Sequence, residues 1–258
     1  MPERKSLVGA PCWIDLSSSD LSRAVPFYTG LFGWSCDTNE DPQYGGYAIF
    51  SKDGEPVAGI MKQDEENPYG DVWTVYLEST DAAATAEAAT PAGGQVIMPA
   101  MQVGDQGSMA ILTDPAGAVI GVWQPGQHRG FGRWGEPGTP AWFETLSRDY
   151  RAALPFYETV FGWTLNPMGD DDEFRYSQAR IGGENIAGLM DASGFLPAEV
   201  PSFWRWYVAV PDADAAVSTV LELGGSVAGP AEDSPYGRVA TVADPLGAQF
   251  QIVAMRDE

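Results

Sequence analysis

An internal repeat constrains the fold of this 258-residue chain more than any other feature, because repeated units build architectures that a single copy does not. Three short motifs occur twice in the same order, namely Pro11-Cys12-Trp13 with Pro140-Ala141-Trp142, Pro26-Phe27-Tyr28 with Pro155-Phe156-Tyr157, and Phe32-Gly33-Trp34 with Phe161-Gly162-Trp163. Later landmarks keep nearly the same spacing, namely Trp73 with Trp204, Gly93-Gly94 with Gly224-Gly225, and Asp114-Pro115 with Asp244-Pro245. We therefore predict two similar domains over 1–124 and 140–258, joined by a linker rich in Gly, Pro and Arg over 125–139.

Each copy mixes strand and helix patterns. Residues 13–17 alternate as a strand does, and Ser19-Asp20 offers an N-cap to an apolar helical pattern that ends at Phe32. Residues 81–92 form an alanine-rich helical pattern that stops at Gly93-Gly94. Continued along the chain, the order β-α-β-β-β occurs twice in each copy, which predicts four modules and an α+β fold. The modules can pair within a copy or across the repeat, and the sequence leaves both pairings open.

This ordered set of a first strand, a helix ending in Phe-Tyr, a Phe-Gly-Trp corner, a Gly-Gly pair and a closing Asp-Pro-x-Gly turn resembles the vicinal-oxygen-chelate superfamily in its two-domain form. That superfamily includes glyoxalase I, extradiol dioxygenases, and fosfomycin and bleomycin resistance proteins. The resemblance extends from Gly9 to Val253. It implies curved mixed sheets, with helices on the outer face of each sheet and a ligand site on the concave face.

The resemblance also implies metal ligands, mostly His, Glu or Gln, in the first and last strands of the modules. The residues at these positions are Trp13, Thr74, Gly121, Trp142, Arg205 and Gln251, and none of them is histidine. A non-haem iron site of this family needs two histidines and a carboxylate. The only histidine of the sequence, His128, falls in the predicted linker, where we expect it to be exposed to solvent. We therefore expect neither a metal nor another cofactor.

Strand periodicity predicts which side chains line the two clefts, because alternate residues face opposite sides of a sheet. The first cleft is predicted to contain Trp13, Asp15, Met61, Thr74, Tyr76, Gly121 and Trp123, with Thr74 and Gly121 small enough to leave room for a ligand. The second is predicted to contain Trp142, Glu144, Arg205, Tyr207, Gln249 and Gln251. Trp73, Trp204 and Trp206 fall on the opposite strand face, where we expect them to pack against helices.

The aromatic walls of these clefts suit a flat apolar ligand, and a carboxylate among such rings would bind a cation or a hydroxyl group. Two alternatives stay open. The tryptophans could fill the clefts as ordinary core, since tryptophan is usually well buried. In the second cleft, Arg205 could simply neutralise Glu144 in a structural ion pair.

The charge of the chain limits its partners. Its 36 acidic residues outnumber its 14 basic ones, which gives a formal net charge of −22. Such a chain repels a phosphate backbone and attracts cationic small molecules, so we expect no nucleic acid partner. No apolar run is long enough to span a membrane, and the N-terminal residues lack the apolar core of a signal peptide, so we expect a cytoplasmic protein without a membrane partner.

Three classes of function are compatible with the sequence. The favoured one is a metal-free binding protein that holds a planar aromatic antibiotic or secondary metabolite, either for resistance or beside a biosynthetic enzyme. The second is a metal-dependent lyase, isomerase or oxygenase whose site would use Asp15, Glu144 or Gln251 in place of histidine. The third is a metal-free lyase, isomerase or hydroxylase with Asp15 or Glu144 as general base. The sequence does not decide whether the protein is an enzyme.

Overall fold

A computed structural model describes residues 6–39, 41–63, 70–171 and 174–256, so the N-terminal residues 1–5 considered above lie outside it. The first repeat contains β1 (Pro11–Ser18), α1 (Leu21–Phe32), β2 (Ser35–Thr38), β3 (Ala48–Lys52), β4 (Glu55–Lys62), β5 (Val72–Glu78), α2 (Ala82–Ala89), β6 (Gln95–Val103), β7 (Gly107–Thr113) and β8 (Val119–Pro125). The second contains β9 (Pro140–Ser147), α3 (Tyr150–Phe161), β10 (Thr164–Asp170), β11 (Arg175–Ile181), β12 (Glu184–Asp191), β13 (Phe203–Ala209), α4 (Ala213–Glu222), β14 (Ser226–Ser234), β15 (Gly237–Ala243) and β16 (Gln249–Met255). The predicted α+β class and its four modules are confirmed.

Each repeat forms one mixed sheet of eight strands. The first sheet has the order β2-β3-β4-β1-β5-β8-β7-β6, and the second repeats it as β10-β11-β12-β9-β13-β16-β15-β14. The two modules of a repeat join where their first strands pair, β1 with β5 and β9 with β13, both antiparallel. Modules therefore pair within a copy, which decides between the two pairings that the sequence left open.

The helix boundaries follow from local capping. Asp20 accepts a hydrogen bond from the backbone N–H of Ser22 at the start of α1, and Gly33 ends the helix in the left-handed conformation with a φ of 66°. Helix α2 ends at Ala89, three residues before the predicted Ala92, because the backbone N–H of Gly94 donates to the Ala89 carbonyl and closes the turn. No helix within the described part of the chain is long and apolar enough to cross a membrane.

The helices cover one side of each sheet, and that side is turned toward the other repeat. Helix α1 contacts α4 and α2 contacts α3, while the central strands β5 and β13 meet between these helix pairs. There the rings of Trp73 and Trp206 lie 4.9 Å apart, centroid to centroid. Trp73, Trp204 and Trp206 are all buried on this side of the sheets, as predicted. The two repeats consequently share one hydrophobic core.

Reciprocal hydrogen bonds join the repeats across this core. The Tyr28 hydroxyl donates to Asp244 Oδ2 over 3.1 Å, and the Tyr157 hydroxyl donates to Asp114 Oδ2 over 3.1 Å. Tyr28 and Tyr157 come from the Pro-Phe-Tyr motifs, and the two aspartates from the Asp-Pro-x-Gly turns. The repeated motifs thus hold the two halves together, which accounts for their retention in both copies.

The Phe-Gly-Trp corners form a second reciprocal pair of contacts. Trp34 Nε1 donates to the carbonyl of Gly138 over 2.6 Å, and Trp163 Nε1 donates to the carbonyl of Gly9 over 2.8 Å. Each tryptophan thereby binds the backbone immediately before the first strand of the other repeat. This exchange gives the molecule an approximate two-fold symmetry.

Candidate functional site

The sides of the two sheets that carry no helices are the candidate ligand-binding surfaces. We call them the first open face, on the sheet of β1–β8, and the second open face, on the sheet of β9–β16. Asp15 and Tyr76 on the first face are only 6% and 4% exposed, and Glu144 and Tyr207 on the second are similarly buried. Burial without a covering layer of helices indicates that each sheet curves around the centre of its open face.

A buried carboxyl group lies at the centre of the first open face. Asp15 Oδ2 accepts a hydrogen bond of 3.5 Å from the Tyr47 hydroxyl, and Tyr76 also binds this carboxyl through its hydroxyl. Trp13 Nε1 in turn donates to the Tyr47 hydroxyl over 2.8 Å. Burial raises the pKa of Asp15 from 3.8 to about 7, against the smaller lowering effect of the two tyrosine hydrogen bonds. No basic side chain of the described residues forms an ion pair with Asp15.

A carboxylate also lies at the centre of the second open face, but a cation neutralises it. Arg205 Nε and Nη2 donate to Glu144 Oε2 over 2.9 and 2.6 Å. The Tyr207 hydroxyl donates to the same oxygen over 2.8 Å, and the Tyr176 hydroxyl donates to Oε1 over 3.0 Å. Glu144 is therefore held in an ion pair with Arg205, which is one of the alternatives that the sequence leaves open.

The two centres are copies of one arrangement, and sequence reasoning missed half of it. Tyr47 and Tyr176 were not predicted as site residues, although they are related by the same repeat spacing as the other landmarks. Each fits above a glycine of the neighbouring strand. A Cβ atom on Gly59 would lie 1.8 Å from the Tyr47 hydroxyl oxygen, and one on Gly188 would lie 1.9 Å from that of Tyr176. A tyrosine and a glycine that recur together at the repeat spacing are the signal that could have found this contact.

The prediction that Gly121 leaves room for a ligand is wrong. A Cβ atom at this position would lie 2.2 Å from the ring of Tyr76, so the missing side chain accommodates that tyrosine. The space is filled because Tyr76 and Gly121 are direct partners in the β5–β8 pair. Thr74, which lies opposite Asp15 in the β1–β5 pair, is half-buried and remains next to the carboxyl group.

The prediction that His128 is exposed in a linker is also wrong. Its ring centroid lies 4.3 Å from that of Trp13 and 5.5 Å from that of Trp123, and its carbonyl accepts a hydrogen bond from Trp123 Nε1. The backbone N–H groups of Gly126 and His128 both donate to the carbonyl of Gln106, which ties this segment to the β6–β7 turn. Burial lowers the pKa of His128 to about 4.

This covering segment, residues 126–131, closes one end of the first open face. Trp13 and Trp123 are left only 3% and 7% exposed beneath it. On the second open face Trp142 occupies the position of Trp13 and is only half-buried. Val253 occupies the position of Trp123 there. The two predicted aromatic walls consequently differ, because the first is covered by protein and the second has Val253 in place of the second tryptophan.

The linings of the two open faces differ in polarity at matched positions. The pairs, first face before second, are Ile49 and Gln178, Thr74 and Arg205, Ile111 and Thr241, Val119 and Gln249, and Gly121 and Gln251. Met61 and Met190 match, and both are half-buried. The first open face is therefore aliphatic around its carboxyl group, whereas the second is polar around its ion pair.

The structure brings the predicted site residues together in two groups, one on each open face. Register pairs place Trp13 opposite Tyr76, Tyr76 beside Gly121, and Met61 beside the strand that carries Asp15. In the second repeat they place Trp142 opposite Tyr207 and Tyr207 beside Gln251. Gln249 lies at the exposed margin of its face, whereas Gln251 is buried.

The donor set at the six positions implied for metal ligands does not fit a transition metal. Gly121 offers no side chain, and Arg205 brings a positive charge that is already paired with Glu144. The carboxamide oxygen of Gln251, the one suitable donor of the six, accepts a hydrogen bond of 2.9 Å from Thr241. Within the described ranges no cluster of three or more His, Cys, Asp or Glu side chains could hold a metal ion.

The chain belongs to the Glyoxalase/Bleomycin resistance protein/Dioxygenase superfamily in a two-domain form, because both repeats match sequence models of this kind and the relatives match over nearly the whole chain. The sequence model of that superfamily matches residues 12–122, and the model of the glyoxalase-like domain matches residues 143–253.

Two relatives and one solved structure illustrate the range of the family. The chain is 39% identical to "Putative glyoxylase CFP32" of Mycobacterium tuberculosis, over 98% of each chain. It is 37% identical to the "Anthracycline biosynthesis protein DnrV" of Streptomyces peucetius, over 96% of this chain and 94% of that protein. Its fold resembles the Mn(II)-bound glyoxalase of Novosphingobium aromaticivorans with a TM-score of 0.63 and 16% identity, over 96% of this chain and 83% of that one.

Proposed function

We propose that this protein is a metal-independent binding protein for a planar, largely apolar small molecule, and that the first open face holds the ligand. The observation that carries this proposal is the contrast between the two faces. The same carboxylate-and-tyrosine centre is surrounded by aliphatic side chains on the first face and by polar ones on the second. The carboxyl group of the first face has no ion-pair partner among the described residues.

The apolar lining gives a planar ligand most of its binding free energy. Ile49, Met61 and Ile111 are half-buried on the first open face, and Met101 is 49% exposed at its margin. Covering such surface contributes about 25 cal/mol per Å² before the cost of ordering the ligand. Aliphatic and methionine side chains that stay accessible on a concave surface are typical of small-molecule sites.

The carboxyl group supplies the polar contact. Asp15 is the acceptor that a hydroxyl or cationic group of the ligand would reach, since its existing partners are both tyrosine hydroxyls. A cationic ligand would gain further from the net charge of −22. Because the pKa of Asp15 is about 7, its preference for a cation should strengthen as the pH rises through neutrality.

The relatives supply the biological setting of the proposal. Proteins of Streptomyces peucetius and of Streptomyces sp. C5, similar to this chain over 96% of its length, are named anthracycline biosynthesis proteins. Anthracyclines contain a fused, planar aromatic ring system, which is the class of ligand that the first open face suits. We infer that the protein holds an aromatic secondary metabolite, as an accessory to its biosynthesis or in resistance to it.

A second candidate function is a metal-free isomerase, lyase or hydroxylase in which Asp15 transfers a proton. One observation favours it, namely that Asp15 is buried without an ion-pair partner among the described residues. This burial raises the pKa of Asp15 to about 7, where a carboxyl group can act as general acid or base at physiological pH. A ligand that leaves the protein chemically changed would favour this function. A ligand recovered unchanged would favour binding alone.

The binding proposal is tested by fluorescence titration with a neutral and a cationic anthraquinone. Ile49→Gln and Ile111→Thr give the first face the residues that the second face carries at the same positions. Each should weaken binding about three- to tenfold, because aliphatic surface is lost from the site. Val96→Thr is the control, since Val96 is aliphatic and exposed on the helix side of the same sheet. If the two face variants bind like wild type, the first open face is not the site.

Metal independence is tested separately. The untagged protein is dialysed against a chelator, its iron, zinc, nickel and manganese contents are measured, and the anthraquinone titrations are repeated. We expect substoichiometric metal and unchanged affinity. A retained stoichiometric metal ion, or binding that returns only on addition of metal, would contradict this part of the proposal.

A further inference from the structure

We propose that the second open face is an independent binding site for an uncharged, hydroxyl-rich ring, the chemical class of sugars and glycosides. It lies on the other side of the molecule's shared core from the first open face and has its own carboxylate centre. An aromatic wall and a polar wall lie on either side of that centre.

The aromatic wall runs from the buried centre to the surface. Trp142 donates a hydrogen bond to the Tyr176 hydroxyl, and the ring of Phe174 stacks on that of Tyr176 with 6.0 Å between centroids and 13° between planes. Phe174 itself is 48% exposed. Exposed aromatic rings can cover the apolar C–H surface of a sugar ring, which removes that surface from water.

The polar wall lies across Glu144 from these rings. Arg205 uses Nε and Nη2 for Glu144, so its Nη1 donors are not engaged by that carboxylate. Gln249 is exposed at the margin, and the Gln251 carboxamide, whose oxygen accepts from Thr241, retains its amino group as a donor. These three side chains offer both donors and acceptors. Gln178 adds another carboxamide on the aromatic side of Glu144, because it follows Tyr176 by two residues on β11.

The composition of this wall selects among ligand classes. A hydroxyl group both donates and accepts, which matches mixed amide and guanidinium groups. An anion is disfavoured because Glu144 already neutralises Arg205 and the chain carries a net charge of −22. A wholly apolar ring is disfavoured because it would remove these polar groups from water without satisfying them.

The second open face is accessible at the end that carries Trp142, whereas the covering segment closes the matching end of the first open face. The covering segment 126–131 lies over Trp13, whereas Trp142 at the matching position remains half-buried. The β14–β15 turn next to this end carries Tyr236, which is 68% exposed. Within the part of the chain that the structure describes, no counterpart of the covering segment buries Trp142, which leaves the aromatic wall open to a ring ligand.

Saturation-transfer NMR with neutral methyl glycosides of hexoses and pentoses tests this proposal on the full-length protein. We expect at least one glycoside to bind with a millimolar Kd, as is typical of a single small polar ligand, and Phe174→Ala and Gln249→Val each to weaken it at least threefold. Both substituted side chains are accessible, so the fold should tolerate these changes. Leu221→Ala is the matched control, because Leu221 is an exposed apolar residue of α4 on the opposite side of the sheet.

The outcomes separate this site from the first. Weakening in both face variants with unchanged binding in the control would support the proposal, whatever the anthraquinone titrations show. Absence of transfer to every glycoside, or transfer that persists unchanged in Phe174→Ala and Gln249→Val, would overturn it. Displacement of the glycoside by an anthraquinone would also overturn it, because the two sites would then be one.

Discussion

Replacing Asp15 by asparagine should change how stability depends on pH. The substitution keeps the shape of the side chain and removes its charge. In the folded protein burial holds the pKa of Asp15 at about 7, against 3.8 for the unperturbed group. The difference of about three units corresponds to about 4 kcal/mol, at roughly 1.4 kcal/mol per unit.

The sign of this effect follows from proton counting. Near pH 4 and above, the unfolded chain has lost the Asp15 proton while the folded protein retains it up to about pH 7. The folded state therefore binds more protons in this range, and the wild-type free energy of unfolding falls as the pH rises. Above pH 7 both states are ionised, and the whole cost of the buried charge is present.

His128 acts in the opposite direction. Burial lowers its pKa from 6.5 to about 4, so the unfolded chain binds more protons between these values, and stability rises with pH there. Its contribution is at most about 3 kcal/mol, and less to the extent that the ring stays in contact with water. The two groups partly cancel between pH 4 and 6.5, which is why the Asp15 effect has to be read as a difference between variant and wild type.

The assay is urea denaturation of wild type and Asp15→Asn from pH 4 to pH 8, with Asp37→Asn as a control at an exposed carboxylate. The gain in unfolding free energy of Asp15→Asn over wild type should be small near pH 4 and increase toward pH 8 by up to about 4 kcal/mol. The control should show no such increase. A difference between Asp15→Asn and wild type that is independent of pH would refute the reasoning, because Asp15 would then not titrate near neutrality.

Three further predictions concern the shared core and the covering segment. Tyr28→Phe should destabilise the protein by about 1–3 kcal/mol, because the buried carboxylate of Asp244 loses a donor; an unchanged urea midpoint would contradict this. His128→Ala should increase acrylamide quenching of tryptophan fluorescence, since the ring covers Trp13; quenching equal to wild type would show that other atoms keep the tryptophan covered. A fragment of residues 1–126 should self-associate rather than fold as a monomer, and sedimentation showing a folded monomer would refute this.

The sequence predicts the two similar domains and their β-α-β-β-β modules well, because each motif that indicates them occurs in both repeats. Strand periodicity assigned Trp13, Asp15 and Tyr76 to one face and Trp73 to the other, as the structure has them. Successive side chains of a strand point to opposite faces of the sheet, and this alternation does not depend on which strand is the neighbour. The pairing of modules within a copy is not local, and only the register of β1 with β5 decides it.

The candidate site was less predictable because its details depend on neighbours that are distant in sequence. Gly121 was expected to leave space, but the space belongs to the ring of Tyr76 on the adjacent strand. His128 was expected in solvent, but backbone hydrogen bonds to Gln106 return its segment to the first open face. The Gly- and Pro-rich composition around His128 predicts a linker, but it does not show which surface of the protein that linker packs against. Tyr47 was missed because its contacts with Asp15 and Gly59 are made with other strands and are not visible in the alternation of its own strand.

Duplication separates the two roles that side chains play in this protein. The residues that join the repeats are the same in both copies. The tyrosine of each repeat donates a hydrogen bond to the aspartate of the other repeat, Tyr28 to Asp244 and Tyr157 to Asp114. A homodimer of the first repeat could reproduce all of these contacts, since Tyr28 of one copy would meet Asp114 of the next.

The residues around the two carboxylates are not subject to that reciprocity, because the described hydrogen-bond partners of Asp15 and of Glu144 all lie in their own repeat. The aliphatic lining around Asp15 and the Arg205 pair of Glu144 are therefore free to differ, and they differ in the property that selects a ligand. One frame, held together by contacts that occur in both repeats, thus carries one aliphatic and one polar surface. Lining residues can therefore be exchanged between matched positions of the two faces, for example Ile49 and Gln178, to change ligand binding while the contacts that stabilise the fold stay unchanged.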